Sequence, residues 1–165
     1  MLPGSERLSY RRLSAADASA FHRLLTDPHV RRYLLDGQIV DRPWSDEAIA
    51  DSDRLFAARG LGLWLMFEAE GEDPIGFCGF RLFAEMSPEP QLIYALVESA
   101  TGRGYATEAG QECLAVAAAQ GLTSVIAAVD EPNAASIHVL EKLGFRRTGA
   151  VPGAFGQTIC FERRG

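Results

Sequence analysis

Apolar positions along the chain change period several times, and each change predicts an element. Leu8 to Leu13 reads as a short strand. Ser14 and Asp17 stand at capping-box spacing ahead of Phe21, Leu24 and Leu25, which predicts a helix to about Thr26, stopped by Asp27-Pro28. Pro43-Trp44-Ser45 precedes a second helix, Asp46 to Arg59, with Gly60 as its stop. From Leu61 to Glu70 the side chains alternate, Leu63, Leu65 and Phe67 against Trp64, Met66 and Glu68. A turn at Gly71–Pro74 and a returning strand, Ile75 to Phe83, complete a hairpin. After the break at Ser87-Pro88-Glu89-Pro90, Gln91 to Val97 is almost unbroken apolar sequence, as in a strand covered on both faces. Ala106, Ala109, Cys113, Val116 and Ala117 then follow at helical spacing, with Gly121 beyond them. Ser124 to Val129 is a further buried strand, Ala134 to Leu143 a short helix stopped by Gly144, and Phe145–Val151 and Gln157–Arg163 two closing strands. The predicted order, β-α-α-β-β-β-α-β-α-β-β, is that of an α/β sandwich with a mixed sheet.

With 165 residues the chain is expected to form one domain, 1–165. Its 47% apolar and 23% charged residues are too apolar for disorder. No run approaches the roughly 20 apolar residues of a membrane span, and the start, MLPGSERLSY, lacks a leader's apolar core. Three scattered cysteines, Cys78, Cys113 and Cys160, offer neither a disulfide framework nor metal-ligand spacing. The expectation is a reduced, cytoplasmic protein without a metal. A net charge of −6 disfavours a nucleic-acid partner. That excess is local, because Asp41 to Asp73 holds nine acids and three bases. A solvated helix face with an acidic turn explains it; a field that draws a cationic partner is the functional alternative. Two residue types occur once each, Lys142 and Asn133, within ten residues of one another.

Candidate chemistry begins at Thr101-Gly-Arg-Gly-Tyr-Ala-Thr107, where an apolar strand gives way to an alanine-rich helix. Glycines there let the backbone turn tightly, and the unpaired first-turn amides with the helix dipole suit an anion such as a pyrophosphate. Arg103 can add a charge-assisted contact. An ordinary strand-to-helix turn would also use glycine. The phosphate loop that ends in Gly-Lys-Ser/Thr is absent. The dinucleotide fingerprint lacks its third glycine, Thr107 standing there, although Asp130 at the end of the next strand keeps a nicotinamide-dinucleotide oxidoreductase open as an alternative.

A second motif, Asn133-Ala-Ala-Ser-Ile-His-Val-Leu-Glu-Lys-Leu-Gly-Phe145, follows about thirty residues after the first. Together with Gly102-Arg-Gly-Tyr-Ala-Thr-Glu-Ala109, Asp27-Pro-His-Val30 and Pro74-Ile-Gly-Phe77, it resembles the GNAT superfamily of acetyl-CoA-dependent N-acetyltransferases. The closest likeness is to the branch of the ribosomal-protein alanine N-acetyltransferases. The resemblance implies a mostly antiparallel sheet flanked by about four helices, with acetyl-CoA as co-substrate. Backbone amides of Arg103, Gly104, Tyr105, Ala106 and Thr107 would hold the pyrophosphate. Leu96 and Val97 would pair their main chain with the pantetheine arm between two splayed parallel strands, and Asn133 would hydrogen-bond it. Many members protonate the departing thiolate with a tyrosine, but Leu140 stands at that position. Ser136, one turn earlier on the same face, is the proton donor the branch implies, or else it binds the helix turn or the cofactor.

The chain departs from the branch at three places. Gln91-Leu-Ile-Tyr94 replaces Glu-Ile-Gly-Tyr, Glu98 replaces a proline, and Thr101 replaces a tryptophan. The lost acid at Gln91 leaves the base open among water, Glu68, Glu98 and Glu162, and gives weight to a non-catalytic acyl-CoA sensor as the other reading. His22, His29 and His138 read as structural or surface residues. Tyr33, Trp44 and Trp64 are packing residues or lining for the acceptor pocket. The acceptor is expected to be an amine, cationic if the acidic segment serves it. The assembly expected is a monomer or homodimer.

Overall fold

A computed structural model of the chain describes residues 4–83 and 87–165. Met1–Pro3, part of the stretch read above for a leader, and residues 84–86 lie outside the described residues. The elements are β1 (Leu8–Arg12), α1 (Ala18–Thr26), α2 (Pro28–Leu34), α3 (Arg42–Arg59), β2 (Leu63–Glu68), β3 (Gly76–Arg81), β4 (Gln91–Leu96), α4 (Tyr105–Ala119), β5 (Ser124–Asp130), α5 (Ala134–Lys142), β6 (Arg146–Gly153) and β7 (Gly156–Arg164). The strands form one sheet in the order β1-β2-β3-β4-β5-β7-β6. Every neighbouring pair is antiparallel except β4 and β5. A doubly wound dinucleotide fold needs a parallel sheet, so this topology removes the oxidoreductase alternative.

Helix boundaries depart from expectation at two prolines. Asp27-Pro28 ends α1 but also begins α2: the Asp27 carboxylate accepts the amides of His29 and Val30 at 3.0 and 3.1 Å. Proline is well placed in a first turn, where no amide is required. In the same way α3 begins at Arg42 rather than Asp46, because Asp41 caps it by accepting the Trp44 amide at 2.9 Å and Pro43 sits in its first turn. Gly60 ends α3 in the left-handed conformation.

The alternation read in β2 is present, but both of its faces are covered. Trp64 and Met66 join Cys78, Phe80, Leu92, Leu96, Val125, Ala127, Val129, Ile159 and Phe161 in one cluster, which α4 and α5 close with Ala109, Cys113 and Leu140. Leu63, Leu65 and Phe67 join Phe77 in the other, closed by Phe21, Leu24, Val30, Ala48 and Ile49 of α1, α2 and α3. Ile93 and Ala95 pack on this second side, so successive residues of β4 face opposite helical layers.

No helix is long and apolar enough to cross a membrane among the described residues. The acids of α3 are largely paired: Asp46 with Arg42, Glu47 with Arg54, Asp51 with Arg54 and Arg81, and Asp53 with Arg12. That is the solvated-face reading of the acidic segment.

Candidate active site

β4 and β5 meet at a single register pair, Gln91 with Ile126, and then part. Beyond it β4 runs to Leu96, roughly 16 Å at the usual rise per residue, beside an open edge. The Val97 amide donates to the Ile75 carbonyl at 2.9 Å, and its carbonyl accepts from Ala100 at 3.0 Å. Amides alternate in direction along an antiparallel ladder, so the N–H and C=O of Leu96 face away from β3, into the cleft. Of the two residues expected to pair with the pantetheine arm, Leu96 therefore has its main chain free to do so, whereas Val97 has both groups committed.

The cleft leads to the glycine turn. Gly102 and Gly104 have φ of 75° and 79°, and Gly104 is the residue before α4. A Cβ on Gly102 would meet nothing within 4 Å, and one on Gly104 only the Arg7 guanidinium at 3.4 Å. Left-handed backbone, rather than lack of room, is what requires glycine here. The first intrahelical bond runs from the Glu108 amide to the Gly104 carbonyl at 3.1 Å, which leaves the amides of Tyr105, Ala106 and Thr107 without helical partners. Arg7 braces the turn, donating to the Arg103 carbonyl at 2.7 Å, lying 4.7 Å over the Tyr105 ring and pairing with Glu108 at 3.0 Å. The Arg103 guanidinium rests on Glu68 at 3.2 Å, an exposed pair that a stronger anion can displace. A hollow of about 460 Å³ beside the turn is lined by Arg7, Gly104, Thr107 and Lys142 together with the acids Glu6, Glu108 and Glu112, so the chain's lysine shares a wall with the turn.

Across the cleft, Asn133 caps α5: its Oδ1 accepts the Ser136 amide at 3.3 Å, and its two Nδ2 protons remain for another acceptor. Ser136 is half-buried, and its Oγ lies 2.9 Å from the Tyr94 hydroxyl of β4, which also donates to the Ser136 carbonyl at 3.1 Å. Burial pushes the Tyr94 phenol up to about 12, against a smaller lowering by the Ser136 hydrogen bond. Leu140 is fully buried, while His138 is exposed on the opposite side of α5. His22 shares a hydrogen bond with Ser45 at 3.0 Å, and His29 is exposed.

The other face of the sheet carries a different set of groups. Val125, Ala127 and Val129 of β5 point to the α4–α5 layer, so Asp130 points to the side of α1 and α2. Thr158 of β7 donates to Asp130 at 3.3 Å. Burial raises the Asp130 carboxyl above its ordinary value, the Thr158 hydrogen bond opposes this, and the charge of Asp36 beyond the end of α2 raises it further. Tyr33 of α2 packs edge-on against Phe155 at the β6–β7 turn, 5.8 Å between ring centres, closing that side. Trp64 is core, packed edge-to-face with Phe56, and Trp44 lies under the Arg81 guanidinium. Glu162 stands at the closed end of the cleft, opposite Ile126 and hydrogen-bonded by Ser124. Sequence reasoning did not single out Arg7, met Tyr94 only as the tyrosine kept in the Gln91–Tyr94 stretch, and weighed Asp130 only for a nicotinamide dinucleotide. The available signal for Tyr94 was its place in β4, in phase with Leu92 and Leu96.

Comparison with known proteins agrees with this geometry. The acetyltransferase (GNAT) domain profile matches residues 7–146. The p20 protein of Bacillus licheniformis, an uncharacterized N-acetyltransferase, is 25% identical over 146 residues, 88% of this chain and 82% of its own. A GNAT-family structure from Bordetella pertussis superposes with a TM-score of 0.86 at 21% identity, covering 99% of both chains. The yncA structure from Salmonella typhimurium, solved with acetyl-CoA, superposes with a TM-score of 0.75 at 18% identity, covering 96% of this chain and 94% of its own. By the profile that spans most of its length, and with the splayed strands and glycine turn in place, the chain belongs to the GNAT acetyltransferase family.

Proposed function

We propose that the protein transfers the acetyl group of acetyl-CoA to a primary amine, by direct attack within a ternary complex. The observation that carries this reading is the cleft that opens after Gln91–Ile126 and ends on the amides of the glycine turn. The Salmonella neighbour holds acetyl-CoA on the same fold. In this reading the amides of Arg103 to Thr107 take the pyrophosphate, the Leu96 main chain pairs with the pantetheine amides, and the Asn133 Nδ2 protons give a second hold. A further cleft-facing N–H of β4, rather than that of Val97, polarises the acetyl carbonyl.

The amine nitrogen forms the new C–N bond as the C–S bond breaks. Asp130, on the acceptor face, receives the proton that the nitrogen sheds, and Ser136, on the opposite face, supplies one to sulfur. The sheet itself thus separates the two proton transfers. Holding amine and thioester in line contributes about 7–11 kcal/mol to such a reaction without any covalent enzyme intermediate.

Calorimetric titration with acetyl-CoA tests the reading. Micromolar binding is expected, at least tenfold weaker in Gly104→Val, whose side chain strains the turn, and turnover is expected with a panel of amines. Binding without turnover of any amine would make the chain an acyl-CoA sensor, and absence of binding would remove the cofactor assignment.

A further inference from the structure

We infer that Tyr94 is a positioning residue for the reaction, acting solely through Ser136 to set where the serine proton points; this rests on the reading of Ser136 as the proton donor to sulfur. Ser136 lies in the first turn of α5, where a serine hydroxyl ordinarily rotates freely or turns back to its own helix. Here two contacts fix it from outside. The Tyr94 hydroxyl is 2.9 Å from Oγ and 3.1 Å from the Ser136 carbonyl, so one phenol grips both the side chain and the backbone of that residue. The grip spans 42 residues of sequence and bridges β4, one edge of the cleft, to α5, which follows the other edge, β5.

Tyr94 can hold Ser136 in two arrangements. With the phenol proton on the Ser136 carbonyl, the serine proton is drawn onto the phenol oxygen and away from the cleft. With the phenol proton on Oγ, the serine proton is released toward a group in the cleft. An anion developing beside Oγ favours the second arrangement, because the serine then donates to it while the phenol supports Oγ. The proton that reaches sulfur is the serine's. The phenol remains un-ionised, consistent with its raised pKa. The Asn133 cap fixes the same turn from the opposite side through the Ser136 amide. Leu140, where many family members carry the proton-donating tyrosine, is fully buried and carries no polar group; in this chain the tyrosine near that step comes from the strand instead.

A double-mutant cycle tests the inference. Tyr94→Phe is expected to lower kcat about tenfold and leave the KM for acetyl-CoA within about twofold, while Ser136→Ala lowers kcat by 10² or more. The decisive result is non-additivity: Tyr94→Phe should have no further effect in the Ser136→Ala background. Equal losses in both backgrounds, or wild-type kcat in Tyr94→Phe, would overturn the inference while leaving Ser136 as the donor. Wild-type kcat in Ser136→Ala would instead overturn the donor reading itself, and the role of Tyr94 with it. Thermal melts monitor folding, and Tyr94→Met reads the same cycle if the phenylalanine chain does not fold.

Discussion

Glu108 joins two segments of the chain beside the glycine turn. Its carboxylate accepts the Ser5 hydroxyl at 2.6 Å, the Arg7 guanidinium at 3.0 Å and the Arg7 amide at 3.1 Å, tying the segment before β1 to the first turn of α4. Burial alone would raise its pKa, but these three donors outweigh it and hold the carboxyl below its ordinary 4.5. An acid whose folded-state pKa is depressed stabilises the fold above its ordinary pKa, and loses that contribution as pH falls through the lower, folded-state value. Glu108→Gln should therefore lower the melting temperature at neutral pH. The difference from wild type should close below pH 4.5, and a gap that persists at acid pH would mean that packing, not charge, ties the segment down. Because Arg7 also braces the Arg103 carbonyl, the same variant should weaken acetyl-CoA binding modestly, by a few-fold.

Among the elements, α5 has its side-chain cap in the residue that the proposed function also gives to the cofactor. Asn133 satisfies the Ser136 amide and, in the proposed function, also presents Nδ2 to the cofactor, and two substitutions separate these roles. Asn133→Asp keeps a capping oxygen and adds a charge suited to a helix N-terminus, so it should melt near wild type yet bind acetyl-CoA about tenfold more weakly. Asn133→Ala should lose affinity and also about 1 kcal/mol of stability, read from urea midpoints. Equal affinities for Asn133→Asp and wild type would reduce the asparagine to a cap.

Much of this level was legible in the sequence. The β2 alternation, the apolar run of β4, the Gly60 stop and the glycine turn each have a local cause, and each stands where its pattern placed it. What the sequence hid was of two kinds. Asp27-Pro28 ends one helix and caps the next with the same two residues, so a stop signal concealed a start. The Tyr94–Ser136 contact joins positions 42 residues apart, and no local period encodes it. The commitment of the Val97 amide to Ile75 likewise follows from register, which one strand alone does not specify.

At the scale of the whole molecule, the net charge of −6 is less concentrated than its clustering in sequence implies, because most α3 acids carry an arginine partner. Asp130 is different. It lies where the sheet splays, faces the helical layer opposite Ser136, and has a like charge, Asp36, near it and a neutral donor, Thr158, upon it. Its carboxyl is held above the ordinary 3.8, with burial the main cause, so ionising it costs the folded protein stability that the unfolded chain does not lose. The sign is opposite to that of Glu108: the cost is absent below pH 3.8 and is complete once pH has risen through the folded-state value. Asn still accepts from Thr158 but carries no charge. Asp130→Asn should therefore melt higher than wild type at pH 7, with the gain vanishing below pH 3.8. If the carboxylate is retained for the amine, the same variant should lose 10²–10⁴ in kcat/KM for the amine while binding acetyl-CoA as wild type does. The loss should be accompanied by a flattened acid limb of the rate profile. A variant that is both more stable and fully active would leave the carboxylate without a catalytic reason to be there, and would return the proton to bulk water.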